Sequence, residues 1–559
     1  MSTDRSILDA IYDNEQQRAR QVFLTQPVGG AQVVDSTWAQ MMDQARRMAR
    51  HLREERGLRP GDRIAMLSKN CAHFFMAELA IWMAGGTTVA IFPTETAETV
   101  RYVLEHSEAS LLFVGKLDAW PQQLPGVPAQ LPCIAFPLAP QTPYERWDDI
   151  VARTEPLSGH PQRAGTDLGM IIYTSGSTGL PKGVMLPFDA IGAAAGMVDY
   201  LKATYGDEQQ TRLISYLPLA HSFERAWVLA ASLYDGSAHI FFAEAVDTFL
   251  EDLRRARPTT FISVPRLWLK FQQGVFAKVP PARLDRLLGI PIVGKLVARK
   301  ILKGLGLDAV RHAASGSAPI PADLIRWYRK LGLNLFEGYG MTEDFAYSHS
   351  STRERNAPGF VGVPLPGVQA KLADDGEILI KSPGQFCGYY RQPELNAQVF
   401  TPDGFFRTGD QGERDASGLL KVTGRVKEIF KTSKGEYVAP APIENRLNAH
   451  PMVELSLVSG MGQAAAYAMV VLAEELRPRL GDAALRGQVQ AELARLLQDV
   501  NRQLPAHQRL KMIVVANEPW SIENGLLTPT MKIRRGRIES AVAFAVEHWY
   551  ASGSTVHWA

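Results

Sequence analysis

The chain has 559 residues, 46% of them hydrophobic, which predicts a large globular protein with at least two domains. Its 60 Lys and Arg residues nearly balance 58 Asp and Glu residues, so the formal net charge of +2 provides no global field for nucleic acid. The three cysteines, Cys71, Cys133 and Cys387, lie far apart and form no CxxC pair. They argue against a disulfide framework or a zinc site and favour a reducing compartment.

Neither the N-terminus nor the longest apolar tract has the pattern of a membrane-insertion signal. Residues 1–14 mix charges into the first turns and lack the apolar core of a signal peptide, so no export is expected. The tract from Phe74 to Phe92 is broken by Glu78 and by a Gly-Gly pair, which predicts a buried helix followed by a strand. We therefore expect no membrane span and a cytoplasmic protein.

The first part of the chain predicts alternating helices and strands. Thr37 and Gln40 form a capping-box pattern before an amphipathic helix that is expected to run to Gly57. Short β-rich runs separated by helical segments follow at residues 63–70, 87–93 and 109–115. Residues 121–143 are rich in proline without a period and are expected to form an irregular surface excursion. The alternation is that of a parallel sheet, so the predicted fold class is α/β.

A flexible, hydroxyl-rich loop follows the next predicted strand, in the stretch IIYTSGSTGLPKGVML. The loop residues predicted to bind a nucleotide phosphate are Thr174, Ser175, Gly176, Ser177, Thr178 and Gly179. Their backbone N–H groups can form an anion-binding nest, their hydroxyls add donors or a magnesium ligand, and Lys182 brings a positive charge to the rim. Leu180 and Pro181 stand where a Walker A loop has its lysine, so a P-loop NTPase is disfavoured. A Gly/Ser linker is the other alternative, but linkers rarely lie between apolar strands.

The string YTSGSTGLPKGV resembles the phosphate loop of the adenylate-forming superfamily, whose members include acyl-CoA synthetases, luciferases and peptide-synthetase adenylation domains. Further motifs follow in the family's order over nearly the whole chain, and they look most like those of long-chain fatty acyl-CoA synthetases. The resemblance implies a large N-terminal domain of stacked α/β sheets, residues 1–426, with the acid, ATP and magnesium sites. A small, mobile α+β cap domain, residues 427–559, is implied to follow a hinge.

The stretch YLPLAHSFER, residues 216–225, resembles the family string that lines the acyl and pantetheine channel. A lone histidine between a strand end and an apolar helix is ordinarily a satisfied structural residue, so the pattern alone does not give His221 a role. The resemblance implies that His221 and Trp227 gate the access of the substrate, and that His221 is one of the catalytic residues. Gly316, in the turn ASGSAP, is a further implied contact of substrate and nucleotide.

Residues 337–343 read EGYGMTE and resemble the family's adenine and metal segment. The implied nucleotide contacts are Glu337, Gly338, Tyr339 and Thr342. By the resemblance, Tyr339 stacks on the base, Thr342 faces the phosphates, and Glu343 holds magnesium, with Thr174 as a second ligand. A carboxylate beside a triphosphate would be repelled without a cation between them, so a glutamate here fits a metal. A solvated loop glutamate is the alternative.

The second strongest signal is the segment from Gly404 to Glu444. Asp410 suits the vicinal hydroxyls of a ribose, because an ionised carboxylate offers two acceptor oxygens. It resembles the family's ribose aspartate, and Arg425 resembles the arginine of a Gly-Arg pair that reaches ribose or phosphate. Lys427 falls on the family's hinge position. The last three predicted nucleotide-binding residues of the segment are Lys427, Lys434 and Gly435.

The C-terminal part predicts a compact α+β cap. Residues 454–472 alternate in the manner of a small sheet. One long amphipathic helix is marked by Leu485, Val489, Leu493, Leu496, Val500 and Leu504. In the string LTPTMK, Lys532 aligns with the family's catalytic lysine, although Met531 stands where much of the superfamily has glycine. A surface basic tail is the alternative.

The resemblance implies an ATP-dependent acyl-CoA synthetase that uses ATP, Mg²⁺ and coenzyme A. A fatty acid carboxylate attacks the α-phosphorus of ATP to give acyl-AMP and pyrophosphate, and the coenzyme A thiolate then displaces AMP. The first step needs charge neutralisation, because an anion approaches a polyanion, and Lys532, Lys182 and magnesium are expected to provide it. Two alternatives stay open: an acyl-AMP ligase that serves a carrier protein, and a non-catalytic nucleotide or fatty-acid binding protein.

Two apolar stretches predict a medium- to long-chain acid and a membrane contact. The stretch LAHSFERAWVLAASL and the helical region Leu284 to Leu307 offer more apolar surface than acetate needs. The segment expected to lie on an anionic lipid surface, residues 291–307, is punctuated by Lys295, Arg299, Lys300 and Lys303. A helix packed on its own domain with a solvated basic edge is the alternative. The oligomeric state, including a homodimer, is left open by the sequence.

Overall fold

The structure is a computed structural model that describes residues 5–175, 180–206 and 210–559, with only the backbone given for Ser175 and Tyr205. The predicted phosphate-loop residues Gly176, Ser177, Thr178 and Gly179 lie outside the described residues. Within the described ranges, no helix is both long and apolar enough to cross a membrane.

Residues 5–160 alternate helices and strands, as predicted. Their elements are α1 (Ile7–Gln17), β1 (Val22–Gly29), β2 (Gln32–Thr37), α2 (Trp38–Arg50), β3 (Arg63–Leu67), α3 (Ala72–Ala84), β4 (Thr87–Ile91), α4 (Ala97–Ser107), β5 (Ala109–Val114), α5 (Trp120–Gln123), β6 (Cys133–Ala135), β7 (Glu145–Arg146) and α6 (Trp147–Arg153). The capping box of α2 is present, since the Gln40 N–H donates to Thr37 Oγ1 (3.3 Å) and the Thr37 N–H donates to Gln40 Oε1 (2.9 Å). The helix continues beyond Arg50 as a π-helical turn, His51–Glu55, and so ends before the predicted Gly57.

Residues 168–304 hold a β-hairpin and then the predicted helical region. Their elements are β8 (Leu168–Ser175), β9 (Pro181–Pro187), α7 (Phe188–Ala195), α8 (Met197–Tyr205), β10 (Arg212–Ser215), α9 (Ser222–Glu224), α10 (Ala231–Asp235), β11 (His239–Phe242), α11 (Phe249–Ala256), β12 (Thr260–Ser263), α12 (Pro265–Lys278), α13 (Pro281–Leu288) and α14 (Val293–Gly304). A π-helical segment, Arg225–Ala230, joins α9 to α10.

Residues 312–425 complete the large α/β part of the molecule. Their elements are β13 (His312–Ser315), α15 (Ala322–Lys330), β14 (Leu335–Tyr339), β15 (His349–Ser350), β16 (Val363–Pro364), β17 (Gln369–Leu372), β18 (Glu377–Lys381), β19 (Gly388–Tyr389), α16 (Pro393–Val399), β20 (Phe406–Arg414) and β21 (Leu420–Arg425). Strands β17, β18, β20 and β21 form an antiparallel sheet.

Residues 430–558 have an apolar core of their own. Their elements are β22 (Phe430–Lys431), β23 (Tyr437–Val438), α17 (Pro440–Asn448), β24 (Val453–Ser459), β25 (Ala466–Leu472), α18 (Ala483–Arg502), β26 (Leu510–Val515), α19 (Arg535–Ser552) and β27 (Val556–Trp558). Two buried clusters lie within this part of the chain, and the other buried clusters lie within residues 7–422. The predicted domain boundary at residues 426 and 427 stays a prediction.

Parallel strands bring the predicted site segments to the ends of neighbouring sheets. The largest sheet has the order β19-β9-β8-β4-β3-β5-β6-β7, in which β9 and β19 run antiparallel to their neighbours and the other pairs are parallel. A second sheet has the order β12-β13-β14-β15-β16 and begins with parallel pairs, and a third has the order β10-β11-β1-β2. Ligands of α/β sheets bind outside the carboxyl ends of such strands, where Thr174, Gly316 and Tyr339 lie.

Two sequence expectations are corrected by the strands. The proline-rich stretch 121–143 is not wholly irregular, because β6 within it adds a buried parallel strand beside β5. Three residues between prolines are too few to show a period. The expected alternation is wrong for β25, in which all 7 residues are buried. One face of β25 packs with α18 and the other with α19, so both faces must be apolar.

Candidate active site

The β8–β9 hairpin places Lys182 directly opposite Thr174 in the strand register. The Lys182 ammonium lies 5.3 Å from the centre of the Tyr389 ring, and the Tyr389 hydroxyl donates to Glu343 Oε1 at 2.8 Å. Burial lowers the pKa of Lys182, the nearby Lys427 ammonium lowers it further, and Glu343 opposes both effects. The structure therefore brings three predicted residues, Thr174, Glu343 and Lys427, close to Lys182.

Asp410 is the centre of a second group of predicted residues. The Tyr339 hydroxyl donates to Asp410 Oδ2 at 2.8 Å, and Arg425 Nε lies 3.0 Å from Asp410 Oδ1. Asp410 is only 5% exposed, and burial raises its pKa while Arg425 and then Tyr339 oppose that shift. Each carboxylate oxygen has two lone pairs and uses one for a protein partner. One acceptor site on each oxygen is left for a pair of neighbouring hydroxyls.

Buried carboxyl groups at the two ends of the segment EGYGMTE accept hydrogen bonds from backbone N–H groups. Glu337 Oε2 accepts the Gly359 N–H at 2.8 Å, and burial raises the pKa of Glu337 to about 8. Asp344, which the sequence reasoning missed, accepts the Met341 N–H at 2.8 Å, and its burial also raises its pKa to about 8. The Glu337 side chain faces the protein in this structure, and its predicted nucleotide contact stays a prediction. Gly338 lies in β14, beside Glu337.

The channel motif contacts the nucleotide motif through hydroxyls. Ser222 Oγ lies 3.2 Å from Thr342 Oγ1, which joins the start of α9 to the predicted phosphate-facing threonine. His221 precedes α9, and its Nδ1 accepts the Phe223 N–H at 3.2 Å. This places the proton of the neutral ring on Nε2. Burial lowers the pKa of His221 to about 3, with a contribution from the nearby Lys532 ammonium, so the ring is uncharged at neutral pH.

Trp227 and Gly316 both lie beside Phe223. The Trp227 and Phe223 ring centres are 6.4 Å apart, and a Cβ added to Gly316 would lie 3.3 Å from the Phe223 ring. Trp227 Nε1 donates to the Ala346 carbonyl at 3.3 Å, from the π-helical segment that follows α9. Ala346 has a φ of 57°, a rare conformation for a residue with a side chain. The structure thus joins the predicted channel residues to the loop after Glu343.

Lys532 comes from the C-terminal part and reaches the group around Asp410. Its N–H donates to Thr528 Oγ1 at 3.1 Å, and the Thr528 N–H donates to the Lys532 carbonyl at 2.8 Å. The side chain is accessible to solvent, yet protein groups surround its ammonium, as in an open cleft. Burial and then Arg425 lower the pKa of Lys532, while Asp410 and Glu343 oppose that shift.

Two predicted residues are not brought to this cleft. Lys434 and Gly435 lie exposed on the turn between β22 and β23, where Gly435 has a φ of 84°. The Gly435 N–H donates to the Thr432 carbonyl at 3.0 Å. In the described part of the chain, no hydrogen bond or ion pair joins either residue to Asp410 or Lys532.

The sequence reasoning also missed a buried carboxyl group behind His221. Glu224 Oε1 accepts from Ser215 Oγ at 2.7 Å and lies 3.3 Å from Asn70 Nδ2. Asn70 Nδ2 donates to the Leu217 carbonyl at 2.7 Å, so the asparagine and the glutamate together fix the loop that leads to His221. Burial raises the pKa of Glu224 to about 8.

A fully buried ion pair lies beneath the π-helical segment. Arg225 pairs with Glu78, the carboxylate that interrupts the longest apolar tract, and neither side chain has exposed surface. Arg225 Nη2 also donates to Thr88 Oγ1 at 2.8 Å, which connects the segment to β4. The position of Glu78 in the middle of an apolar tract is the sequence signal that could have indicated a buried cationic partner.

Magnesium is the metal that the family resemblance implies. Among residues 5–175, 180–206 and 210–559, no group of three or more His, Cys, Asp or Glu side chains is arranged to hold a metal ion. Mg²⁺ keeps several waters and takes one or two carboxylates plus substrate phosphates, so it needs no such group. Glu343 fits that role, because one of its oxygens accepts from Tyr389 and the other makes no hydrogen bond in the described chain. Asp344 does not fit, since it is buried and used by backbone N–H groups.

The fold and the charged cleft are those of the adenylate-forming superfamily. The profile described as AMP-binding enzyme matches residues 13–390, and the one described as AMP-binding enzyme C-terminal domain matches residues 427–554. The chain belongs to the AMP-binding enzyme family.

Relatives are similar over most of the chain. The long-chain-fatty-acid–CoA ligase FadD15 of Mycobacterium bovis is 30% identical over 543 residues, which cover 88% of this chain and 89% of the relative. The adenylation domain of a carboxylate reductase from Mycobacterium chelonae has a TM-score of 0.81 at 23% identity, over 98% of this chain and 92% of that domain. The anthranilate CoA ligase AuaEII, in complex with anthranoyl-AMP, has a TM-score of 0.79 at 22% identity, over 98% of this chain and 99% of its own. At these identities the two structures show the fold alone.

Proposed function

We propose that this protein is a long-chain fatty acid–CoA ligase that forms AMP. The single observation that carries the proposal is the convergence of Lys532, from the C-terminal part, on Asp410, Arg425 and Glu343 of the large part. A lysine brought to a carboxylate that retains acceptor sites for a ribose suits a reaction at the α-phosphate of a nucleotide. The name of the FadD15 relative supports a fatty acid as the second substrate.

In the first half-reaction, a carboxylate oxygen of the fatty acid attacks the α-phosphorus of ATP. The bond from that phosphorus to the β-phosphate bridging oxygen breaks, which gives acyl-AMP and pyrophosphate. Two anions must approach, so catalysis here is mainly charge neutralisation and positioning. Lys532 neutralises charge at the α-phosphate and the acyl carboxylate, and Lys182 does so from the hairpin rim. Bound Mg²⁺ would supply further positive charge, held by Glu343 and Thr174 with substrate phosphates.

In the second half-reaction, the coenzyme A thiolate attacks the acyl carbonyl carbon and AMP leaves, which gives acyl-CoA. The uncharged His221 ring and Trp227 line the route of the acyl and thiol groups. A neutral imidazole can donate one hydrogen bond from Nε2. Because the ring carries no charge, it does not attract the AMP anion and slow its departure. Lys427, at the start of the C-terminal part, is the proposed pivot between the orientations used in the two half-reactions.

The test is a panel of carboxylic acids from acetate to long chains, with benzoate, assayed for pyrophosphate release and for thioester formation. Each buried methylene contributes about 0.8 kcal/mol, so a fitted channel should favour dodecanoate or longer over acetate by several orders of magnitude. Release of pyrophosphate with a fatty acid but no thioester with coenzyme A would favour the acyl-AMP ligase that serves a carrier protein. No release with any acid would favour the non-catalytic binding protein.

We also propose that residues 291–307 contact a membrane surface from which the acid is collected. The exposed basic side chains Lys295, Arg299 and Lys300 on α14 support this contact. A cytoplasmic location stays a prediction.

A further inference from the structure

The turn between α13 and α14, together with the first turn of α14, exposes four aliphatic side chains, and we call this group the hairpin tip. They are Ile290 (47% exposed), Ile292 (74%), Val293 (39%) and Leu296 (63%). Single exposed aliphatic residues are common on protein surfaces, whereas a contiguous group of them marks an interaction site. The hairpin tip is such a group.

The hairpin tip is held in a strained conformation. Ile292 has φ 69° and ψ −57°, and the Val293 N–H donates to the Pro291 carbonyl at 2.8 Å. These dihedral angles and this hydrogen bond define a γ-turn with positive φ. Such a turn is rare and strained, especially when its central residue is β-branched. Behind it, a Cβ added to Gly294 would lie 2.4 Å from the Leu288 carbonyl oxygen, so the two helices meet closely. Strain of this kind is typically found at functional sites.

Basic side chains surround the hairpin tip. The exposed basic residues of α13 and α14 are Arg283, Arg286, Lys295, Arg299, Lys300 and Lys303. The acidic residue of these two helices is Asp285, which pairs with Lys330 at 2.9 Å. In the ranges that the structure describes, Lys295, Arg299 and Lys300 have no acidic partner. The surface formed by α13 and α14 therefore combines the apolar hairpin tip with basic side chains that have no acidic partner within those ranges.

The opposite face of α14 packs on the protein. Gly294 and Ala298 are buried, and Val297, Ile301 and Leu302 pack against the cluster formed by α11, α12 and α15. The spacing of Leu296, Arg299, Lys300 and Lys303 puts them on the outward face. The helix is thus anchored by its inner face while its outer face and the hairpin tip are free for a partner.

We propose that the hairpin tip inserts into the acyl region of an anionic phospholipid bilayer while the basic face of α14 lies on the headgroups. Charge complementarity selects an anionic partner, and the exposed aliphatic side chains select a bilayer over nucleic acid, which offers no apolar layer. The insertion deepens the proposed function, because a fatty acid substrate dissolves in the same bilayer. The lipid binding itself does not depend on catalysis.

The test is co-sedimentation with vesicles of phosphatidylcholine alone and of phosphatidylcholine mixed with phosphatidylglycerol. Wild-type protein should bind the anionic vesicles more tightly. Ile292→Gly should weaken that binding about tenfold or more, because several methyl and methylene groups no longer enter the bilayer. Glycine adopts positive φ freely, so this variant relieves strain and should fold normally. Its matched control is Val246→Gly, at another exposed aliphatic residue (92% exposed), which should bind as wild type does.

A charge-reversal variant tests the headgroup contact. Lys295→Glu, Arg299→Glu and Lys300→Glu together should weaken binding to anionic vesicles on the order of a hundredfold, since each basic residue near such a surface is worth roughly fivefold. The matched control reverses three exposed basic residues elsewhere, Arg20, Arg53 and Arg479.

Three outcomes would overturn the proposal. The first is that Ile292→Gly leaves binding to anionic vesicles unchanged. The second is that the charge reversal on α14 leaves it unchanged, and the third is that the control variants lose it equally. Pyrophosphate release with octanoate in vesicle-free solution should be normal in both hairpin variants, so a failure of lipid binding is distinguishable from a failure of the proposed activity.

Discussion

Glu224→Gln tests whether the carboxyl group behind His221 is uncharged in the folded protein. Glu224 has no exposed surface, its Oε1 accepts from Ser215 Oγ and from the Tyr216 N–H, and its Oε2 has no hydrogen-bond partner among the described residues. Burial raises its pKa to about 8, and the two hydrogen bonds oppose that shift only in part. Glutamine keeps the acceptor oxygen and cannot ionise, so it resembles the protonated acid.

The sign of the effect follows from proton linkage. The unfolded chain releases this proton near the ordinary pKa of 4.5, whereas the folded protein keeps it until the pH approaches about 8. Between these values the folded state binds more protons, so its stability falls as pH rises. At about 1.36 kcal/mol per pKa unit, the loss has an upper limit of about 5 kcal/mol. It is absent at pH below the unfolded pKa and complete above the folded one.

The assay is thermal and urea unfolding of wild type and Glu224→Gln across pH. The two proteins should have similar stability near pH 5, and the variant should be more stable by about 2 to 5 kcal/mol near pH 9. Glu98→Gln, at an exposed glutamate on α4, is the matched control and should change little at either pH. A variant that is destabilised by the same amount at both pH values would show that the buried carboxyl is ionised, and it would refute the reasoning.

The remaining predictions concern the two half-reactions. Lys532→Ala should lower acid-dependent pyrophosphate release about 10² to 10³-fold, while thioester formation from presynthesised acyl-AMP stays near normal; equal loss of both would reassign Lys532 to coenzyme A binding or packing. Because burial lowers the pKa of Lys532, pyrophosphate release should decline with rising pH before the ordinary lysine pKa of 10.5 is reached, and Lys532→Arg should move that decline to higher pH if the residual rate permits a profile. Lys427→Pro should retain acyl-AMP formation and lose thioester formation, since proline fixes φ near −65°; a matching loss of both would mean that Lys427 is not the pivot.

The sequence predicted features that local chemistry specifies. The capping box at Thr37 and the strand before the hydroxyl-rich loop both depend on residues close together in the chain. The alternation of helices and parallel strands likewise follows from patterns within single elements. These parts of the fold could be predicted because their determinants are neighbours.

Contacts between distant segments could not be predicted in the same way. Asn70 and Glu224 meet across a separation of 154 positions, and nothing in either local sequence names the other. Asp344 follows Glu343 directly, yet one is buried and bonded to backbone while the other faces Tyr389, a difference that arises only in the folded chain. For His221, the local pattern favoured a structural role, and the proposal of a channel role came from resemblance together with the observed contact of its neighbour Ser222 with Thr342.

In the proposed mechanism, this orientation of the C-terminal part serves the first half-reaction, and one of its contacts with the large part is an exposed ion pair. Lys532 faces Asp410 in this orientation, and Glu454 on β24 pairs with Arg266 on α12 of the large part. Arg477 of the C-terminal part holds the same glutamate at 3.0 Å, so Glu454 keeps a cationic partner when Arg266 leaves. Arg266 is 42% exposed, and exposed ion pairs contribute only about 0 to 1 kcal/mol. An ion pair this weak adds little to the free energy that holds the C-terminal part in place. The proposed mechanism requires such a weak contact, because it presents Lys532 for one step and withdraws it for the next.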